Sequence, residues 1–172
     1  MTFREHEQAA EQTRPSVRCA VITLSDTRTE ATDSSGQLIV DRLLEAGHSV
    51  VERHIIPDEP ARLGPLLERL CAADGVDALL LTGGTGIGPR DSTHEVVAAR
   101  LDKRLDGFGE LFRVLSWQEI GPAAMLSRAL GGVRNGRIVL SMPGSRNAVR
   151  LAMEKLVLPE LPHLVWEATG RR

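Results

Sequence analysis

The chain contains no tyrosine and only three Phe and two Trp among 172 residues, so aromatics make up 3%. A surface that stacks single-stranded bases needs more than that. An excess charge of one sign is also missing. Lys and Arg number 21 against 23 Asp and Glu, a net of −2, which gives no electrostatic footprint for a nucleic-acid backbone. No apolar run approaches the roughly 18 residues of a membrane span. The two cysteines, Cys19 and Cys71, belong to no Cys-x-x-Cys pair. They read as small buried hydrophobes in a reducing compartment rather than as a disulfide or a metal site. His54 and His94 have no second His or Cys at ligand spacing. The first fifteen residues are polar, with Glu5, Glu7 and Glu11, and carry no apolar stretch of the signal-peptide kind. A cytoplasmic protein is expected, with neither nucleic acid nor membrane as partner.

What is present suits one folded domain. Hydrophobic residues make up 42% of the chain, and a chain of this size buries about 70% of the surface its unfolded form exposes. Residues 1–15 read as a flexible arm ending at Pro15, and residues 16–172 as a single domain. Val17–Leu24 is a nearly continuous apolar run, the mark of a strand buried on both faces. Leu38, Ile39, Val40, Leu43 and Leu44 fall at helical spacing before Gly47, a C-terminal cap candidate. His48–Ile56 is β-rich, Ala61–Ala73 helical, and Val76–Thr82 a second buried strand. Ser92-Thr93-His94-Glu95 fits a capping box before a helix reaching about Arg104. Gly107–Leu130 reads as two helices broken near Gly121-Pro122. Ile138–Met142 reads as a short strand, and a last helix runs to about Leu158, where Pro159 ends it. This alternation predicts a three-layer α/β fold: a mainly parallel sheet with helices on both faces and ligands bound at the carboxyl edge of the strands.

Three strand-to-helix loops open at that edge. They are Ser25–Arg28 running on to Gly36, Thr82–Glu95, and Ser141–Ser145. In the second, five of the six residues Gly83–Gly88 are Gly or Thr. Such a loop lets backbone N–H groups close on a phosphate, or it is simply a tight turn. It is neither a Walker A loop nor a dinucleotide fingerprint, because Pro89 stands where those motifs need Lys or Gly. Asp91 reads as a helix cap or as a carboxylate holding Mg²⁺ on a bound phosphate, with Arg90 beside it to clamp phosphate oxygens. Asp58-Glu59 reads as a polar turn or as a second acid over the same cleft. Ser145 reads as an N-cap able to touch phosphate.

Taken together, Leu24-Ser25-Asp26, Asp33-Ser34-Ser35-Gly36, Ile56-Pro57-Asp58-Glu59, Thr82-Gly83-Gly84-Thr85-Gly86, Arg90-Asp91-Ser92-Thr93, Gly107-Phe108-Gly109-Glu110, Leu126-Ser127-Arg128 and Met142-Pro143-Gly144-Ser145 resemble the MoaB/MogA family of molybdenum cofactor biosynthesis proteins, over about residues 17–160. Glu45-Ala46-Gly47-His48 and Phe112–Ser116 look closer to the MoaB branch. His94 departs from a Pro common at that place. The resemblance implies a molybdopterin-binding fold and transfer of AMP from Mg-ATP to the terminal phosphate of molybdopterin, with pyrophosphate leaving. It implies Asp91 as the essential acid and metal ligand and Asp58 as the second functional acid. Gly83, Gly84, Thr85 and Gly86 carry over as the phosphate loop, with Arg90 and Thr93 beside it. Ser25, Asp26, Pro143, Gly144 and Ser145 carry over as cleft walls. It further implies a trimer or hexamer, with other enzymes of the same pathway as partners. The helical stretch Phe108–Leu130 is the interface candidate, through Phe108, Leu111, Phe112, Leu115 and Trp117. A non-catalytic molybdopterin carrier and an oligomeric scaffold with a vestigial cleft are the rival readings.

Overall fold

The structure is a computed structural model and describes residues 16–170. The arm expected over residues 1–15 lies outside the described residues. Six strands form one sheet in the order β2-β1-β3-β6-β5-β4. β1 (Arg18–Leu24), β2 (Ser49–Ile56), β3 (Ala78–Thr82) and β6 (Arg137–Met142) are mutually parallel. β5 (Leu130–Arg134) and β4 (Lys103–Arg104) continue the sheet antiparallel. The helices are α1 (Ser34–Glu45), α2 (Pro60–Ala72), α3 (Thr93–Ala98), α4 (Asp106–Ile120), α5 (Arg146–Ala152) and α6 (Leu158–Ala168).

Strand periodicity divides the core into two layers. Cys19, Val21, Ala78, Leu80, Ile138 and Leu140 pack with Ile39 and Leu43 of α1, Phe112 of α4, and Val149 and Val165 of α5 and α6. The alternate residues Ala20, Ile22, Leu79, Leu81 and Val139 pack with Leu63, Leu67 and Leu70 of α2 and Val97 of α3. Covering both faces is what allows nearly uninterrupted apolar strands. The chain leaves β1 for β2 on one side and then crosses to β3 on the other. The carboxyl ends of β1 and β3 therefore form the switch point where α/β sheets bind ligands.

Several elements differ from the sequence expectation. The helix from Ser92 stops at Ala98, because the chain turns to lay down β4. The stretch after Gly121 is a 3₁₀ segment, Gly121–Leu126, rather than a second helix, and Leu130 already belongs to β5. β5 hides behind Gly131-Gly132. A Cβ on Gly131 would meet Leu140 at 2.7 Å, and one on Gly132 would meet the side chain of Leu101 at 2.6 Å. The glycines permit close strand packing here and do not break the strand. Pro159 does not end the last helix either. A π-helical turn, Met153–Val157, comes first, and Pro159 falls in the first turn of α6, where its missing N–H is not needed. Phe108 and Phe112, expected between subunits, are buried in the chain's own core, whereas Leu111 and Trp117 are exposed.

Candidate functional site

The strands bring three loops to one level. Thr23 pairs with Thr82 and Thr82 with Met142 in the parallel register. Their successors, Leu24, Gly83 and Pro143, therefore lie side by side where the strands end, with Ser25 one residue beyond Leu24. Gly83 N–H donates to the Met142 carbonyl at 3.1 Å, and the Thr82 hydroxyl donates to the Pro143 carbonyl at 3.0 Å. Gly83 has φ +101°, and a Cβ there would strike the Leu24 carbonyl oxygen. Only glycine lets the three loops meet this closely.

The first loop is organised around Asp33. This carboxylate is buried at the start of α1 and accepts from Gly36 N–H (2.9 Å), the Thr23 hydroxyl (2.8 Å) and Arg53 (3.1 Å). Burial pushes its pKa up, but the Gly36, Thr23 and Arg53 bonds outweigh it and hold the group below its ordinary value. Arg28 lies 3.6 Å from Asp33 and donates to the Gly144 carbonyl at 3.1 Å. Ser35 donates to the same carbonyl at 2.7 Å. The Pro143–Ser145 loop is thereby tied to the first loop, and the Ser145 hydroxyl caps α5 by accepting from Ala148 N–H at 3.2 Å.

The second loop rests on Asp58. Its carboxylate accepts from the Ser92 hydroxyl at 2.9 Å and the Thr93 hydroxyl at 3.4 Å. A Cβ on Gly84 would collide with this carboxylate and with the Thr93 hydroxyl. Burial pushes the Asp58 pKa up and the Asp91 charge adds to this, while Ser92 opposes it. The expected capping box is not formed. Ser92 gives its hydroxyl to Asp58, and Glu95 pairs with Arg128. Arg128 braces the loop from outside by donating to the carbonyls of Thr85 (3.0 Å) and Gly86. Asp91 is not the helix cap; its Oδ2 accepts from Gly88 N–H at 2.8 Å.

Not all the site residues read from the sequence meet in one place. Ser25, Gly83–Gly86, Asp91 and Pro143–Ser145 line a single cavity of about 620 Å³. Asp58 and Thr93 are buried behind the glycine loop as its support. Asp26 and Arg90 form an ion pair at 2.9 Å outside this lining, and Asp26 also accepts from Asp58 N–H at 3.3 Å. The Arg90 guanidinium is thus engaged by a carboxylate. Arg28, Ser35 and Arg128 were given no role from the sequence, although Arg28 lies in the first loop and Ser35 and Arg128 lie within the motifs of the resemblance. Their roles depend on contacts across 42 to 116 residues of chain, which no local pattern records. Among the described residues no group of three or more His, Cys, Asp or Glu can hold a metal. His94 instead lies against the Arg128 carbonyl at 2.8 Å. One cavity-lining carboxylate, Asp91, suits Mg²⁺ arriving on a nucleotide, since Mg²⁺ uses one or two carboxylates plus substrate phosphates.

Comparison with known proteins gives a consistent result. Residues 20–163 match the family described as "Probable molybdopterin binding domain". Molybdenum cofactor biosynthesis protein B of Halalkalibacterium halodurans is 49% identical over 168 residues, covering 97% of each chain. A crystal structure of a molybdenum cofactor biosynthesis protein B superposes with a TM-score of 0.88 at 51% identity, covering 91% of this chain and 98% of that one. The tungsten cofactor synthesizing protein MoaB from Pyrococcus furiosus has a TM-score of 0.81 at 36% identity, covering 90% of this chain and 98% of its own.

Proposed function

The chain belongs to the molybdopterin-binding domain family of molybdenum cofactor biosynthesis proteins, and from that premise we propose that it is a molybdopterin adenylyltransferase. The observation that carries the reading is the convergence of Gly83–Gly86, Asp91 and Pro143–Ser145 on one cavity. The proposed reaction transfers AMP from ATP to molybdopterin. An oxygen of the terminal phosphate of molybdopterin attacks the α-phosphorus of ATP. The bond from that phosphorus to the bridging oxygen breaks, and pyrophosphate leaves with the electron pair.

Two polyanions must approach each other, so positioning and charge stabilisation matter more than a strong base. Gly83 N–H is taken by the Met142 carbonyl, which leaves the N–H groups of Gly84–Gly86 and the Arg28 guanidinium as donors among the residues lining the cavity. Mg²⁺ bound with the nucleotide would neutralise phosphate charge, with Asp91 as its protein carboxylate. Asp58 acts in this scheme by holding Ser92, Thr93 and the glycine loop in place. Residence in the cytoplasm and exchange with other enzymes of the pathway are part of the same proposal. The rival reading, a molybdopterin carrier without catalysis, is favoured by one feature. The second acid, Asp58, is spent on loop support and does not line the cavity.

Asp91→Asn separates the two. The substitution keeps size and most hydrogen-bonding capacity but removes the charge. Pyrophosphate release from Mg-ATP and molybdopterin should fall at least a hundredfold, on the order of the loss seen when one group stabilising developing charge is removed. Molybdopterin binding and the folded state should persist. Wild-type turnover by the variant would remove Asp91 from the chemistry, and no pyrophosphate release by the wild-type protein would favour the carrier.

A further inference from the structure

The cavity has two unlike walls. One is made by loop backbone and polar side chains: Ser25, Arg28, the glycine loop and Asp91. The other is the inner face of α4 with the 3₁₀ segment, where Phe112, Ile120, Ala123 and Leu126 present carbon. Ser116 breaks the apolar wall within the helix, and Ser127 borders it at the end of the 3₁₀ segment. Ser116 lines the cavity from the middle of α4, is only 4% exposed, and its hydroxyl makes no hydrogen bond to another described residue. A serine within a helix ordinarily returns its hydroxyl to the carbonyl four residues back. Thr169 does this to Val165 at 3.0 Å, but Ser116 does not do it to Phe112. Among the described residues the Ser116 oxygen is not one of those sealed from solvent without a partner, so the hydroxyl opens onto the cavity, where a bound molecule can take it. The loop wall suits phosphate, and the carbon wall suits a flat ring.

We propose that the Ser116 hydroxyl is a specificity-determining group that hydrogen-bonds the polar edge of a flat heteroaromatic ring lodged against α4, while the ring's phosphate tail lies on the loop wall. This rests on reading the cleft as a nucleotide- and pterin-binding site. A purine and a pterin share the required chemistry: a planar apolar face and an edge of ring nitrogens with exocyclic donors or acceptors. Ser116 contributes orientation and discrimination, because a site built to hydrogen-bond a ring edge rejects rings that lack the matching atom.

Calorimetric titration of the full chain tests the proposal, with Mg²⁺ present and three probes: ATP, 6-hydroxymethylpterin monophosphate and inorganic tripolyphosphate. Ser116→Ala is nearly isosteric and removes only the hydroxyl. It should weaken ATP or the pterin by about 3- to 10-fold, the worth of one neutral hydrogen bond, and leave tripolyphosphate unchanged. Which of the two ring probes is weakened identifies the ring that Ser116 reads. Equal affinity of both ring probes for variant and wild type would overturn the proposal, as would a parallel loss for tripolyphosphate, which would mark a distorted cleft. If the wild-type protein binds none of the three, the reading of the cleft fails, and the proposal with it. Binding by the wild type without a Ser116 effect overturns the proposal alone.

Discussion

At the scale of single residues, the site is held by atoms that are missing. Gly84 has φ +63°, and the space a Cβ would fill holds the Asp58 carboxylate and the Thr93 hydroxyl. Gly47 also has a positive φ, +83°, but nothing lies within 4 Å of its Cβ position. The pair separates backbone strain from collision. Gly47→Ala should cost about 1–2 kcal/mol from the left-handed backbone alone. Gly84→Ala should cost about 2–4 kcal/mol, because overpacking adds to the strain, and it should also abolish ligand binding in the cavity. Denaturant unfolding of both variants checks this, and equal losses would show that Asp58 and Thr93 yield without resistance. The Gly-rich loop and Asp91 were legible in the sequence because their chemistry is local. The support role of Asp58 was not, since its partners Ser92 and Thr93 lie 34 and 35 residues away. The same holds for Arg128, whose motif is visible but whose target, the outer side of the glycine loop, is visible only in three dimensions.

At the scale of elements, the parallel strands and α1 and α2 could be read from periodicity, because burial on two faces or one leaves a plain apolar pattern. β4 and β5 could not. β4 has two residues, and β5 carries two glycines that read as breakers, yet the Asn135-Gly136 turn joining β5 to β6 has φ +49° and +70°, a tight hairpin signal in the sequence itself. Another junction, where α1 ends and β2 begins, carries a titratable group. His48 is buried, and its Nδ1 accepts from Val17 N–H at 3.3 Å, tying the α1–β2 corner to the start of β1. Burial lowers its pKa from the ordinary 6.5. The unfolded chain therefore takes up a proton first as pH falls. Stability should be full above about pH 6.5 and decline below it until the folded-state pKa is passed. Asp33, held below its ordinary 3.8, loses its contribution only at more acidic pH, while Asp58, held above 3.8, works in the opposite sense there. Urea midpoints measured from pH 7.5 to 5 should fall below 6.5 for the wild type and stay nearly flat for His48→Gln. The same slope in both proteins would rule out His48 as the cause.

At the scale of the whole molecule, the two core layers account for most large apolar side chains, and among the described residues six of the nine exposed ones are gathered together, Leu44, Val51 and Ile87 standing apart. On α4 and the 3₁₀ segment after it, Leu111 (55%), Val114 (57%), Trp117 (59%), Ile120 (52%), Met125 (75%) and Leu126 (54%) are all more than half exposed. A contiguous surface of this kind is unusual on a chain that stays alone in water. Helical periodicity in the sequence placed apolar residues around α4 but could not say which of them the chain covers itself. The structure assigns Phe108 and Phe112 inward and leaves the opposite stripe bare. The patch also reaches the cavity mouth, since Ile120 and Leu126 belong to both. We expect this stripe to be covered by further copies of the chain in a closed ring, a trimer or two trimers back to back, because a closed symmetric assembly buries such a surface without leaving a free end. Light scattering should then give a mass three or six times 18.7 kDa. Trp117→Glu places a charge in the middle of the stripe and should reduce that mass to the single chain, while the core, which Trp117 does not enter, stays folded. In a Trp166→Phe background Trp117 is the only indole left. Its emission should shift to longer wavelength as the assembly is diluted and the ring passes into water. A wild-type protein of 18.7 kDa at micromolar concentration, with Trp117 emission independent of dilution, would show that the stripe stays uncovered.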